Sequence, residues 1–181
     1  RAPTVEFPVG GRAHLTSHAD DPHRTPAPLT DARTFRNVVG RFATGVTVVL
    51  TRDAAGAPAG LTVSAFSSVS LDPPLVLACI DVRADAHGAF RVGGPLGISV
   101  LGEDQEDVSR RFAWRGAEKY AGIRLESGAT GAPVVPGAVA QIDCEIVAAH
   151  PAGDHTIFVG EVKDLRIAPG RPLLYHQGGY R

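Results

Sequence analysis

The chain has 181 residues, 44% of them hydrophobic and 20% charged, and its 18 basic and 19 acidic side chains leave a formal net charge of −1. That size suits one domain, or one domain with an arm, and the near-neutral balance excludes the strongly basic field of a protein that grips nucleic acid. No apolar run approaches the ~20 residues that span a bilayer, and the N-terminus lacks a charged-then-apolar signal layout, so a soluble, cytoplasmic protein is expected. Two cysteines, Cys79 and Cys144, sit far apart in apolar stretches. They read as buried free thiols of a reducing compartment, with a single bridge left open by the sequence.

Residues 1–29 carry five prolines and three histidines. They read as an N-terminal arm with at most a short strand where Val5, Phe7 and Val9 alternate, leaving residues 30–181 as the folded domain. The prolines around His14, His18 and His23 break any helix that would align them, so solvated loop histidines are expected and no metal site. A helix is predicted over 31–44, capped by Thr30 and closed by Gly45, with Phe35, Val38, Val39 and Phe42 forming one inward stripe.

The period then changes to two. Strands are predicted over 46–52 and 60–66, followed by 75–81 as a strand buried on both faces, a short helix over 85–92 that Asp85 can cap, and a strand over 96–101. Residues 103–115 read as an amphipathic helix with Val108, Phe112 and Trp114 inward. Residues 116–137 read as loop, with Lys119 and Tyr120 solvated. A long antiparallel pair, 138–149 with 155–167, closes around the tight connection 150–154. Short strands, few helices and no βα alternation imply a mainly β protein with helices, of small-barrel type.

The standard phosphate loops, zinc signatures, thiol-redox pairs and hydrolase elbows are absent from the sequence, so an enzyme built on it would borrow chemistry from a cofactor. The most informative segment is Gly60-Leu-Thr-Val-Ser-Ala-Phe-Ser-Ser-Val-Ser-Leu-Asp-Pro-Pro74: a hydroxyl-rich strand running into an irregular stretch. Thr62 and Ser64 share one face of such a strand, which can hydrogen-bond a planar heterocycle or simply face water.

Three blocks in order, Thr44-Gly-Val-Thr-Val-Val49, the segment just quoted with Leu75 and Val76, and Gly153-Asp-His-Thr-Ile-Phe-Val-Gly-Glu161, resemble the short-chain flavin reductases that supply reduced flavin to two-component monooxygenases. The similarity runs from Phe35 to about Tyr180. It implies an FMN-binding split β-barrel, usually a homodimer, that uses FMN or FAD with NADH or NADPH as reductant. On this resemblance Thr62, Val63, Ser64 and Ala65 lie along the isoalloxazine ring, and Ser68 and Val69 lie near the ribityl and phosphate. Cys79, Ile80, Asp81, Arg83 and Ala84 complete the flavin site, with Arg83 as a phosphate clamp. His155 and Tyr180 match positions that hold the nicotinamide cofactor, with His155 as the one catalytic candidate.

Two departures stand out. Ala84-Asp85 replaces a common hydroxyl, placing a carboxylate where phosphate would be drawn, with His87 as a candidate to compensate. Gly179 replaces a basic residue of the terminal motif. The expected activity is NAD(P)H-dependent flavin reduction serving a partner monooxygenase. The alternatives are a flavoprotein with tightly bound flavin acting on a small organic substrate, or a flavin carrier.

Overall fold

The computed structural model describes residues 31–181. The expected arm, its short strand and its three histidines lie outside the described residues.

The first helix, α1 (Ala32–Val39), starts because the Asp31 carboxylate accepts from the backbone N–H groups of Arg33 and Thr34, each at 2.9 Å. These bonds, that from Thr34 foremost, hold the Asp31 carboxyl below its usual range. Asp31, rather than Thr30, is therefore the cap. The helix closes at Gly40, whose N–H bonds to the Arg36 carbonyl, well before the expected end. Its apolar stripe is turned outward, with Phe35 57% exposed, Val38 66% and Val39 49%, and Phe42, past the helix end, is 77% exposed.

Twelve strands follow. They are β1 (Thr44–Gly45), β2 (Thr47–Arg52), β3 (Pro58–Val63), β4 (Phe66–Leu71), β5 (Pro74–Asp81), β6 (Pro95–Val100), β7 (Glu126–Ser127), β8 (Pro133–Val134), β9 (Ala140–Ala152), β10 (His155–Ile167), β11 (Leu174–His176) and β12 (Gly179–Tyr180). A second helix, α2 (Glu106–Phe112), lies between β6 and β7. The main sheet is antiparallel in the order β3-β2-β6-β9-β10-β5-β4, with β1-β11-β12 and β7-β8 as small satellites. The mainly β expectation holds. Among the described residues no helix is long and apolar enough to cross a membrane.

β2 is interior and buried on both faces, so its alternation feeds two cores. Val49 packs with Ile80, Leu96, Ile98, Ile146 and Phe158. Val48 and Leu50 pack with Leu101, Phe112, Val135 and Leu173. Each such side chain contributes about 1.5–3 kcal/mol by leaving water. Both cysteines are free, and burial pushes the Cys144 thiol up to about 12.

Several sequence expectations are corrected. The supposedly irregular stretch after Ala65 is β4, an edge strand whose register shift between Ser68 and Ser70 conceals the two-residue period. β5 has only one fully buried face, Val76, Ala78 and Ile80, because it lies next to an edge. The helix expected over 85–92 shrinks to one 3₁₀ turn, His87–Ala89, with no side-chain cap. Trp114 lies past the end of α2 and is 66% exposed.

The outermost strands, β3 and β4, are consecutive in sequence and separated only by Ser64-Ala65. A link that short spans roughly 10 Å, so the end of one edge strand and the start of the other lie close together at this corner. The Ala65 carbonyl accepts from the Cys79 N–H at 3.0 Å, tying the corner to β5.

Candidate functional site

The free edge of β3 is held by two side-chain hydroxyls, one from outside the strand and one of its own. Tyr120 Oη accepts from the Gly60 N–H at 2.7 Å and donates to the Gly60 carbonyl at 3.2 Å. Thr62 Oγ1 donates to the Ser109 carbonyl at 2.6 Å, anchoring the strand to α2. The Thr62 hydroxyl proton is thus committed within the fold. Beyond these anchors Ser64 and Ala65 are exposed, while Val63 points into the core.

Next to this edge, the turn after β5 folds back on itself. The Arg83 guanidinium forks onto Asp81, Nε to Oδ1 at 3.1 Å and Nη2 to Oδ2 at 2.8 Å, while the Arg83 N–H donates to Oδ1 at 2.8 Å. The Arg83 side-chain hydrogen bond holds the Asp81 carboxyl well below the usual carboxylate range. Asp85 does not cap the following turn: its Oδ2 accepts from the Gly116 N–H at 2.7 Å. His87 Nε2 lies 2.9 Å from Thr156 Oγ1 and so faces β10, not Asp85.

These pieces converge on a cleft of about 200 Å³ lined by Leu61, Thr62, Asp81, Ala84, Asp85, Trp114, Arg115 and Lys119 among others. Of the expected flavin residues, Thr62, Asp81 and Ala84 meet here. Ile80 is core, Cys79 is half-buried in β5 where burial raises its pKa, and Ser68 and Val69 lie exposed on β4.

Lys119 and Tyr120 are the residues sequence reasoning missed. Expected to be solvated, Lys119 is only 4% exposed, and Tyr120 packs its ring edge-on against Phe112 with centroids 5.9 Å apart. The available signal was thin: one of only two lysines in the chain, beside an aromatic.

His155 opens β10 directly opposite Asp81 on β5, so one register brings the expected nicotinamide histidine to the expected flavin turn. Its Nδ1 lies 2.7 Å from Asp154 Oδ1, and the ring is 42% exposed. Tyr180 is elsewhere, on β12. Its hydroxyl meets Ser109 Oγ at 2.9 Å, its ring meets Tyr175 edge-on, and the Arg110 guanidinium lies 4.9 Å above it. A second cavity of about 580 Å³ lies beside α1, lined by Arg36, Arg41, Thr44, Ser64, Tyr175 and Gln177 among others. There Thr44 Oγ1 is buried and has no hydrogen-bond partner within the described residues. Among the described residues no cluster of His, Cys, Asp or Glu could hold a metal ion.

A curled antiparallel sheet whose edge strand and adjoining turn frame a cleft defines a mainly β protein with a candidate ligand site at its rim. Residues 39–181 match the flavin reductase like domain. The chain is 43% identical over 163 residues to an NADH-dependent flavin reductase of Rhodococcus sp, covering 89% of this chain and 88% of that one. It is 43% identical over 150 residues to the FMN reductase (NADH) of Agrobacterium fabrum, covering 83% and 85%. The structure of the Streptomyces globisporus C-1027 NADH:FAD oxidoreductase, also solved in complex with NAD and FAD fragments, aligns with a TM-score of 0.77 at 39% identity over 86% of this chain and 96% of that one. The chain belongs to the flavin reductase like family.

The residues present fit a flavin. Its ring needs a wall with hydrogen-bonding groups, and its phosphate needs a cation. The exposed Ser64-Ala65 corner would present the first and Lys119, buried beside the cleft, would offer the second, while Thr44, whose hydroxyl is unpartnered within the described residues, lines the cavity that Ser64 also lines.

Proposed function

We propose that the protein is an NAD(P)H:flavin oxidoreductase that reduces FMN or FAD and supplies the reduced flavin to a separate monooxygenase. The observation that carries this is the nearly full-length match to flavin reductases, with Thr62, Asp81 and Ala84 assembled around one cleft. Relatives include reductase subunits of flavin-dependent monooxygenases, such as that of Rhodococcus jostii at 39% identity. Flavin supplies the hydride acceptor, and the chain's task is alignment, since direct transfer needs reacting atoms about 3–3.5 Å apart.

His155 suits the nicotinamide side. With Nδ1–H donating to Asp154, the neutral ring presents Nε2 as an acceptor for a carboxamide N–H. Ser64 and Ala65 take the ring edge, Ser68 and Val69 its tail, and Cys79, Ile80, Asp81, Arg83 and Ala84 the wall behind. Tyr180, whose ring packs against Tyr175, acts from beside the neighbouring cavity that Tyr175 and Ser64 line.

The finer architecture is a split β-barrel, supported by the two-residue link that brings β3 and β4 together. The working unit is a homodimer, supported by the outward apolar face of α1 and by Val69 and Leu71, 50% and 96% exposed on β4. The two free thiols suit a cytoplasmic setting.

A second reading has one observation in its favour: 40% identity over 146 residues to the actinorhodin polyketide dimerase of Streptomyces coelicolor. On that reading, flavin stays bound and acts on an organic substrate.

The test mixes purified protein anaerobically with NADH or NADPH and a molar excess of FMN or FAD, following nicotinamide and flavin absorbance. Bleaching of many equivalents of flavin is the expected result and identifies both preferences. Bleaching of a single equivalent favours the second reading. Bound flavin that no nucleotide bleaches leaves a carrier and overturns the reductase.

A further inference from the structure

We propose that Lys119 is the phosphate anchor of the flavin site, so that it sets the preference of this protein for phosphorylated flavins over riboflavin. The inference rests on the flavin-binding reading above. The cation expected from the sequence, Arg83, is largely exposed and has two of its guanidinium nitrogens bound to Asp81. Lys119 is the opposite case. It is almost wholly buried, and its ammonium makes one long hydrogen bond, to the Trp114 carbonyl at 3.3 Å, with the Tyr120 ring centroid 5.5 Å away. No ion pair within 4 Å involves it among the described residues. An ammonium has three donors, and leaving them unmatched out of water is costly unless an anion arrives.

The place is the right one. Lys119 lies in the wall between the cleft that holds Thr62, Asp81 and Ala84 and a more open trough of about 820 Å³ that also takes in Arg91. Lys119 lines both spaces. The backbone N–H groups of Asp85 and Ala86, in the turn beside it, make no hydrogen bond within the described residues and are two further donors. Asp85 is the carboxylate whose charge Lys119 feels, short of an ion pair; it accepts from the Gly116 N–H, and a bound phosphate would share the ammonium with it. Tyr120 positions the lysine, because its paired bonds to Gly60 lock the 3₁₀ turn Ala117–Tyr120 onto β3.

The experiment uses the single tryptophan of the chain, Trp114, which lines the cleft and reports ligand binding by quenching. FMN and riboflavin, which share a ring and differ in the phosphate, are titrated into the native protein, Lys119→Met and Lys119→Arg. The expected result is a loss of FMN affinity of about ten- to a hundredfold in Lys119→Met, with riboflavin unchanged and partial recovery in Lys119→Arg. Equal weakening of both flavins, or of neither, overturns the proposal. Failure of the native protein to bind either flavin overturns the flavin reading itself. If Lys119→Met does not fold, competition by inorganic phosphate decides on the native protein: displacement of FMN but not riboflavin supports the anchor, and displacement of both or neither overturns it.

Discussion

Arg83 and Lys119 flank the same turn and carry the same charge, yet their surroundings give them different work. The guanidinium is solvated and spends its planar fork on Asp81, where bidentate geometry favours it; the ammonium is buried with donors to spare. Arg83 thereby sets the acid behaviour of the corner. Because the folded pKa of Asp81 lies below its unfolded value of about 3.9, the contribution is fully present above that value and lost as pH falls through the folded one. The Asp81 carboxyl is therefore expected to stay ionised throughout neutral and mildly acidic pH. In Arg83→Met its titration, followed by carboxyl carbon NMR shifts, should rise toward the ordinary range. At this scale the sequence is least informative. Lys119 was read as solvated and is buried, because neither periodicity nor propensity says which long cation finds a carboxylate two residues away and which is covered by an aromatic turn.

At the scale of elements the reading was better. The strand predicted over 155–167 is β10 to the residue, and β2, β5 and β6 lie within a residue or so of expectation, since half-buried alternation and Pro punctuation are local signals. Among the misses are elements whose limits are set by tertiary partners: β4, disguised by its bulge, and α2, trimmed at both ends. Close backbone approaches are equally silent in sequence. A Cβ on Gly97 of β6 would lie 2.1 Å from the Pro133 carbonyl oxygen and 3.0 Å from Val134 Cγ1. Gly97→Ala must push β8 off the sheet, at a cost of about 1–3 kcal/mol. A matching fall in the thermal midpoint, by several degrees, checks this; an unchanged midpoint would mean that β8 is free to move.

On the scale of the whole molecule, the sequence placed the α1 stripe correctly at helical spacing but assigned it to the wrong partner. Spacing shows that a face is apolar, not which surface covers it. Phe35, Val38 and Phe42 stand outward on the described chain, and a second copy of the chain is the cover proposed above. Val38→Glu with Phe42→Glu is expected to shift sedimentation from dimer to monomer with the melting transition retained. If these substitutions leave a dimer intact, the interface lies elsewhere. A native protein that sediments as a monomer would overturn the dimer.

The long β9–β10 hairpin has a consequence for how this chain tolerates change in length. Its two irregularities fall on opposite strands: pairing passes from Val159 with Ala148 to Gly160 with Ile146, leaving Val147 extra on β9, then from Val162 with Cys144 to Asp164 with Asp143, leaving Lys163 extra on β10. One surplus cancels the other, so both strands run 13 residues and meet squarely at each end. A bulge bends and twists its ribbon, so opposed bulges step the hairpin sideways without turning it. Deleting Val147 or Lys163 alone should re-aim the tip that bears His155 and raise the KM for nicotinamide cofactor, while deleting both should return it toward the native value. Insertions and deletions in this ribbon are then tolerated in matched pairs, one per strand, and a gap on one side calls for its counterpart on the other.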